Sequence, residues 1–420
     1  MTDPTGDGSE AGFGPPGRAP RRRRLRLVVP RYGRDVSGGS EQLIRRLAQT
    51  LQSRRWDVEV WTTTAGEETT WSPAFPPGDD LDGAVRVRRF EVVGRRQPRL
   101  FHQLSRALFR LPPALRAETA WLVSQGPFAP ALVRALATGT DRPTLFMPYL
   151  YHPTIWGLPA APHPRLLIPA AHDEPALRLR AVGRAVAAAD ALWYLTEEER
   201  SLLEAVHPVA AERPHAVGAV AIDPPAALDR DAFRREHGLD RYLLYAGRAT
   251  PGKGVGLLLD GYALLRSRHP EISLVLIGDA AGPVTLPEGA VSLGWLDDDE
   301  RWAALAGAEA VVVPSQLESL SLVALEAWAA GRPCLLNGDS PVLAGQAERG
   351  GGALLFRDPA GLCEGAARLL ADPAEAGSLG EAGRRFVALH YRWNAVVRRL
   401  EGLITAVAGP GWVDHPADGR

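Results

Sequence analysis

Short apolar runs that end in a glycine-bearing loop and lead into helix-period stretches recur along this chain. That repeat restricts the fold more than any other feature. The first run is Leu25–Pro30, closed by Arg31-Tyr-Gly-Arg-Asp-Val-Ser-Gly38-Gly39-Ser40. Leu43, Ile44, Leu47, Ala48 and Leu51 follow at helical spacing, and Val58–Thr62 reads as a second strand. Strand, loop, helix and strand make the βαβ unit of a parallel sheet. The pattern resumes through Val85–Val93, Trp121–Val123 and Thr144–Met147, then at Leu166–Ile168, Ala191–Leu195 and His215–Val220. Around Ile222–Pro225 the composition turns to Pro, Ala and Asp, and a second series opens with Tyr242–Ala246 and a helix over Gly256–Leu265. Ser273–Ile277, Val291–Leu293 and Ala310–Val313 continue it. Continuously apolar strands, rather than alternating ones, imply helices on both sheet faces. The expected fold class is α/β, with two doubly wound domains.

Length agrees, since 420 residues exceed the roughly 250 to 300 at which single cores stop growing. The expected division is a disordered arm at 1–22, domains at 23–222 and 223–385, and a disordered tail at 409–420. A long last helix, Glu381–Ala408, would leave the second domain, crossing back to the first over 386–408. Formal net charge is −1, so the overall balance calls for no nucleic acid partner. Two cysteines, Cys334 and Cys363, exclude a disulfide framework or a four-cysteine zinc site. With no apolar run near the 18 to 20 residues of a membrane helix and no signal-peptide h-region, the chain reads as cytoplasmic. A peripheral contact with the inner membrane face, through Arg21–Arg24 or Arg86, Arg88, Arg89, Arg95 and Arg96, stays open.

Against 47 arginines, Lys253 is the single lysine. It marks a place where a compact ammonium fits and a planar fork does not, unless one lysine persisted by chance. It lies in Tyr245-Ala-Gly247-Arg248-Ala-Thr-Pro-Gly252-Lys253-Gly254, between a strand and a helix. The spacing mimics a P-loop, but the next residue is Gly254 where Ser or Thr would hold Mg²⁺. A metal-free diphosphate clamp by Arg248 and Lys253 fits better.

The second constellation is Pro314-Ser-Gln-Leu-Glu318-Ser-Leu-Ser-Leu-Val-Ala-Leu-Glu326, running into a helix that starts near Ser319–Ser321 and stops at Gly331. Free amides at such a start attract phosphate. Eight helical residues rise about 12 Å, so Glu318 and Glu326 could hold hydroxyls at the two ends of a diphosphate. A helix cap and a solvated glutamate are the plainer reading of the same pair.

Together, Gly-Arg248…Lys253-Gly, the Glu318–Glu326 spacing and Gly38-Gly39 resemble the retaining GT-B glycosyltransferases of the glycogen-synthase-like family 4 type, from about Leu25 to Ala408. The resemblance implies two Rossmann-like domains facing a cleft, a nucleoside-diphosphate sugar as co-substrate, no other cofactor and no metal. It implies that Arg248 and Lys253 neutralise the diphosphate, Glu326 holds ribose and Glu318 contacts the transferred sugar. Amides of Ser319, Leu320, Ser321 and Leu322 would cradle phosphate, Gly38 and Gly39 would admit the donor, and Gly278, Trp295 and Leu296 would sit at the base. One departure is Leu320-Ser321, where the family often has Phe-Gly. The acceptor would be a glycan, a lipid-linked molecule or a small molecule.

His172 follows the apolar run Leu166–Ile168, where open α/β sheets place ligands, and the resemblance puts a histidine there against the reacting centre. Asp173 and Glu174 are candidates to orient the acceptor, or a cap and a loop residue. Tyr149-Leu-Tyr-His152 is an aromatic acceptor wall or core packing. Asp297-Asp298-Asp299 opens a helix, where acids cap, and Thr196 with Glu199 reads as a capping box. A same-fold epimerase or hydrolase, and a non-catalytic sugar-nucleotide binder, are the alternatives to a transferase.

Overall fold

The computed structural model describes residues 23–36, 38–139, 142–278, 285–410 and 412. The arm at 1–22 and residues 413–420 of the expected tail lie outside them. Two sheets carry the chain. The 8-stranded sheet runs Gly78–Asp82, Val85–Phe90, Asp57–Thr63, Arg24–Val28, Thr144–Phe146, Arg165–Leu167, Ala191–Tyr194, His215–Val217 in spatial order. The 6-stranded sheet runs Ala290–Gly294, Ile272–Ile277, Arg241–Ala246, Ala310–Val313, Cys334–Asn337, Ala353–Phe356. Every pairing in the second sheet is parallel. The first is parallel except at one edge, where Gly78–Asp82 pairs antiparallel with Val85–Phe90. That polar edge strand is mostly exposed, so it carries none of the apolar signal by which the other strands were read.

Local corrections are few. Trp121–Val123 belongs to a helix, Glu118–Gln125, which buries Trp121 and Leu122. The apolar triplet reads equally as strand or helix when no partner strand is known. The expected long last helix is two, Pro373–His390 and Trp393–Ala408, separated by an extended Arg392. The second of these packs on strands Ala191–Tyr194 and His215–Val217, so this helix does cross back to the first domain. Ile222 N–H donates to the Tyr391 carbonyl (2.8 Å) at the same junction. Beyond the helix Trp412 is buried, its ring 5.5 Å from that of Trp56 and its Nε1–H donating to Thr405 (3.0 Å). The expectation of a disordered tail fails there, because an indole with a partner for its N–H gains more from burial than from solvent.

Helix Leu322–Ala329 is fixed by Trp328, which is fully buried and donates Nε1–H to the Gly352 carbonyl (2.8 Å). A Cβ on Gly350, Gly352 or Gly383 would fall 2.4–2.7 Å from that indole. The glycines are the walls of its slot, and this slot sets the height of the helix that carries Glu326. Across the domain gap, Arg349 makes a bidentate pair with Glu198 (2.5 and 2.9 Å), and Thr196 Oγ1 donates to the Ser319 carbonyl (3.2 Å).

Candidate active site

Carboxyl ends of the central strands in both domains open on a shared cleft of about 520 Å³. Gly38 and Gly39 line one side, Arg248, Lys253, Gly278, Trp295, Leu296, Leu322 and Glu326 the other. At the second domain's first two strand ends, Gly247 and Gly278 take positive φ (146° and 110°). A Cβ on Gly278 would stand 2.6 Å from the Gly247 carbonyl, so neither strand end projects a side chain between the two. Gly38 is similarly constrained, with φ 143° and a would-be Cβ 2.2 Å from a Glu41 oxygen.

Lys253 ends a short 3-10 turn, Pro251–Lys253, and its Nζ bonds Glu318 Oε1 at 2.8 Å. Gly254 follows at φ 75°, and a Cβ there would meet the Pro314 carbonyl at 2.3 Å. The position at which a P-loop carries its metal-binding hydroxyl therefore has neither the backbone conformation nor the space for a side chain. Arg248 is exposed at the rim and makes no ion pair among the described residues.

Glu326 is buried and ion-paired with Arg301. Burial works against the charged form of Arg301, but Glu326 and Asp298 outweigh it and raise its pKa. Arg46, from the first domain's helix Gly39–Ser53, approaches the same carboxylate (3.9 Å). Neither Arg46 nor Arg301 was found from sequence. Each is one arginine among many, and only the shared cleft distinguishes them.

The start of helix Leu322–Ala329 differs from expectation. Ser321 is its N-cap, accepting from Ala324 N–H (3.2 Å), and the Ser321 N–H itself donates to Gln346 (3.1 Å). Leu320 is buried in the core. Among Ser319–Leu322, only Leu322 lines the cleft, joined by Val323; their N–H groups lie in the first turn, where no intrahelical acceptor exists. The serine at the family's glycine position caps a helix. Likewise Asp297 caps Asp298–Gly307 in a capping box with Glu300.

His172 lies where three charges converge. Burial lowers its pKa, while Glu174 and Glu318 pull it up and Lys253 pushes it down. Its Nδ1 is buried without a hydrogen-bond partner among the described residues, an arrangement native proteins keep for a reason. The expected Thr196–Glu199 box is only half formed. Thr196 does cap, but the Glu199 carboxylate takes the N–H groups of Ala171 (2.8 Å) and Leu195 (2.5 Å), holding the residue next to His172. Glu174 accepts from Tyr149 (2.6 Å), and the exposed Asp173 pairs with Arg178 (2.7 Å). Tyr149, Leu150 and His152 are core; Tyr151 donates to Glu68 (3.0 Å), which lines the cleft with Arg31.

Comparison with known proteins follows this division. Residues 38–219 match the glycosyl transferase 4-like domain and residues 229–386 the domain of glycosyl transferases group 1. Glycogen synthase of Mycobacterium tuberculosis is 33% identical over 178 residues, 39% of this chain and 42% of that enzyme. D-inositol 3-phosphate glycosyltransferase of Corynebacterium efficiens is 32% identical over 263 residues, 55% of this chain and 60% of the other. The chain thus spans about half the length of the curated relatives it matches. Sucrose-phosphate synthase of Thermosynechococcus elongatus has the same fold, with a TM-score of 0.66 at 20% identity, covering 92% of this chain and 99% of that one. Anabaena HepE, solved with UDP, aligns at 0.65 and 15% identity, covering 91% and 100%. The chain belongs to the glycosyltransferases of the GT-B fold, a 4-like domain followed by a group 1 domain.

Proposed function

We propose that this protein moves a hexosyl group from a nucleoside-diphosphate sugar to an acceptor hydroxyl, with retention at the anomeric carbon and without a metal. The observation that carries the reading is Lys253, which lines the cleft, bonded to Glu318, with Arg248 at the rim and His172 close enough to feel both partners. Arg248 and Lys253 would face the diphosphate with the Leu322 and Val323 amides, placed where negative charge grows as the sugar leaves. Glu326, already held by Arg301, would accept from ribose hydroxyls, and the gap beside Gly247 and Gly278 would admit the base against Leu296. Glu318 and the His172 ring would bind hydroxyls of the transferred sugar. The C1–O bond breaks with its electron pair going to the diphosphate, the acceptor oxygen attacks from the same face, and its proton passes to the departing phosphate. No protein nucleophile is assigned.

The acceptor, a glycan, a lipid-linked molecule or a small molecule, is not named by these residues, and a cytoplasmic location is part of the same proposal. The test is thermal shift in EDTA with UDP, GDP, ADP, dTDP, ATP and NAD, followed by turnover of the matching sugar nucleotides. A ligand at 100 times its Kd adds about 2.7 kcal/mol. Stabilisation by one diphosphate in EDTA, then acceptor-dependent donor consumption giving the retained anomer, is the expected result. A shift with ATP only when Mg²⁺ is added would overturn the clamp. Donor consumption that ignores acceptor would make the enzyme a hydrolase or epimerase.

A further inference from the structure

The arginines expected at a membrane contact are mostly engaged elsewhere. Arg86 pairs with Asp57 (2.7 Å), Arg88 lies 3.7 Å from Asp79, and Arg89 is buried and donates to the Tyr32 carbonyl. A different surface stands out. From Val92 to Ala117 the chain holds six arginines and no acidic residue, although the whole molecule is nearly neutral. Helix Pro98–Arg110 turns Leu108 into the core, with Phe101, Leu104 and Phe109 partly buried beside it. Apolar side chains are exposed at the border of that buried face and beyond the helix end: Leu100 is 61% exposed, Leu111 42% and, in the turn Pro113–Leu115, Leu115 68%. Leu100 and Ala107 share one line of the helix, Leu111 follows as its C-cap, and Arg99, Arg106 and Arg110 lie together on the solvent side of that line.

Among the described residues Arg95, Arg99, Arg106 and Arg110 make no ion pair, whereas most arginines elsewhere in the first domain do. Leucines in water beside a row of unpaired arginines match an anionic lipid surface in both chemistries at once: the side chains enter the interface and the guanidinium groups meet phosphate. Leu111 and Leu115 lie beyond the helix end, so the line continues past it onto the following turn. A groove between Thr70–Ser72 and the helix start, lined by Arg95, Arg99 and Leu100, adjoins Thr69, which itself lines the cleft.

We propose that the face formed by helix Pro98–Arg110 and the turn through Leu115 docks on an anionic bilayer, placing the open cleft beside the membrane. The inference is independent of which sugar nucleotide the cleft holds. The test is co-sedimentation of the full chain with vesicles of phosphatidylcholine alone or with 30% phosphatidylglycerol. Binding to the mixed vesicles only, lost in 0.5 M salt, is expected. Leu100→Glu/Leu115→Glu, and separately Arg99→Gln/Arg106→Gln/Arg110→Gln, should each weaken partition roughly tenfold or more, with unchanged melting temperature and unchanged nucleotide-induced shift. Arg21→Gln/Arg22→Gln should leave it unchanged. Equal binding to both vesicle types, none to either, insensitivity to the helix variants, or loss only with the Arg21/Arg22 variant would overturn the proposal. So would a concentration-dependent dimer abolished by Leu100→Glu/Leu115→Glu, which would assign the face to a second copy of the chain.

Discussion

Lys253 Nζ and Glu318 Oε1 lie 2.8 Å apart, bringing the chain's single lysine onto the first of its two spaced glutamates across 65 residues of sequence. The pair is partly open to solvent, so its contribution to folding is small, about 0–1 kcal/mol. In the proposed function the pair serves to place an ammonium beside the diphosphate and a carboxylate beside the sugar. Lys253→Ala and Glu318→Gln should each lower kcat by about a hundredfold or more. The double variant should lose little beyond the worse single one, because both act on one constellation. Steady-state kinetics with matched melting curves check this; additive losses would mean the two residues act separately.

Gly254→Ser restores the hydroxyl of a P-loop but places it at φ 75° and 2.3 Å from the Pro314 carbonyl. It should cost about 1–3 kcal/mol and create no Mg²⁺-dependent ATP hydrolysis. Urea unfolding and a phosphate-release assay measure the two outcomes.

Ser321→Ala removes a helix cap and should lower stability by about 1 kcal/mol, with kcat falling far less than in Lys253→Ala. Ser321→Gly, the residue the family often has, should cost only a few tenths of a kcal/mol. A large kcat effect with intact stability would give the Ser321 hydroxyl a role at the substrate rather than as a cap.

Burial raises the Glu199 pKa from 4.5 to about 7, against the pull of the Ala171 and Leu195 amides. A carboxyl that is easier to protonate in the folded state stabilises most below its unfolded pKa. That contribution is fully present below 4.5 and is lost as pH rises through about 7. Denaturant midpoints should therefore fall between pH 5 and 7.5 in the native chain, and this fall should be flattened in Glu199→Gln, whose amide does not ionise. An equally steep fall in the variant would assign the dependence to another group.

His172 is held below its ordinary pKa of 6.5, first by burial, so its effect on stability is absent above that pH and stability is lost as pH falls below it. Any acid limb of turnover set by this ring should lie below pH 6.5. His172→Gln, which keeps a neutral amide, should retain more activity than His172→Ala. A limb at 6.5 that vanishes in both variants would mean the ring works as a cation.

What could be read in advance follows from range of interaction. Continuous apolar strands, glycine punctuation and helical spacing act over a few residues. They were enough for the two βα series and for Arg248 and Lys253 falling together after one strand. The edge strand Gly78–Asp82 escaped because its reason for being a strand is the neighbour Val85–Phe90 rather than its own apolarity. Glu199 showed as a helix residue, yet its carboxylate is committed 28 positions away at Ala171. Ser321 showed as a helix-start residue offering its amide to phosphate, yet Gln346 takes that amide and the hydroxyl caps at Ala324. Arg46 and Arg301 carried no local mark, and they meet at Glu326 only because two separate sheets close on one cleft. By itself the sequence determined the two layered α/β domains and the chemical types gathered at their strand ends, since both depend on local pattern. Which carboxylates, amides and arginines are free to meet a ligand was decided by tertiary structure, because each polar group binds the partner that packing leaves nearest.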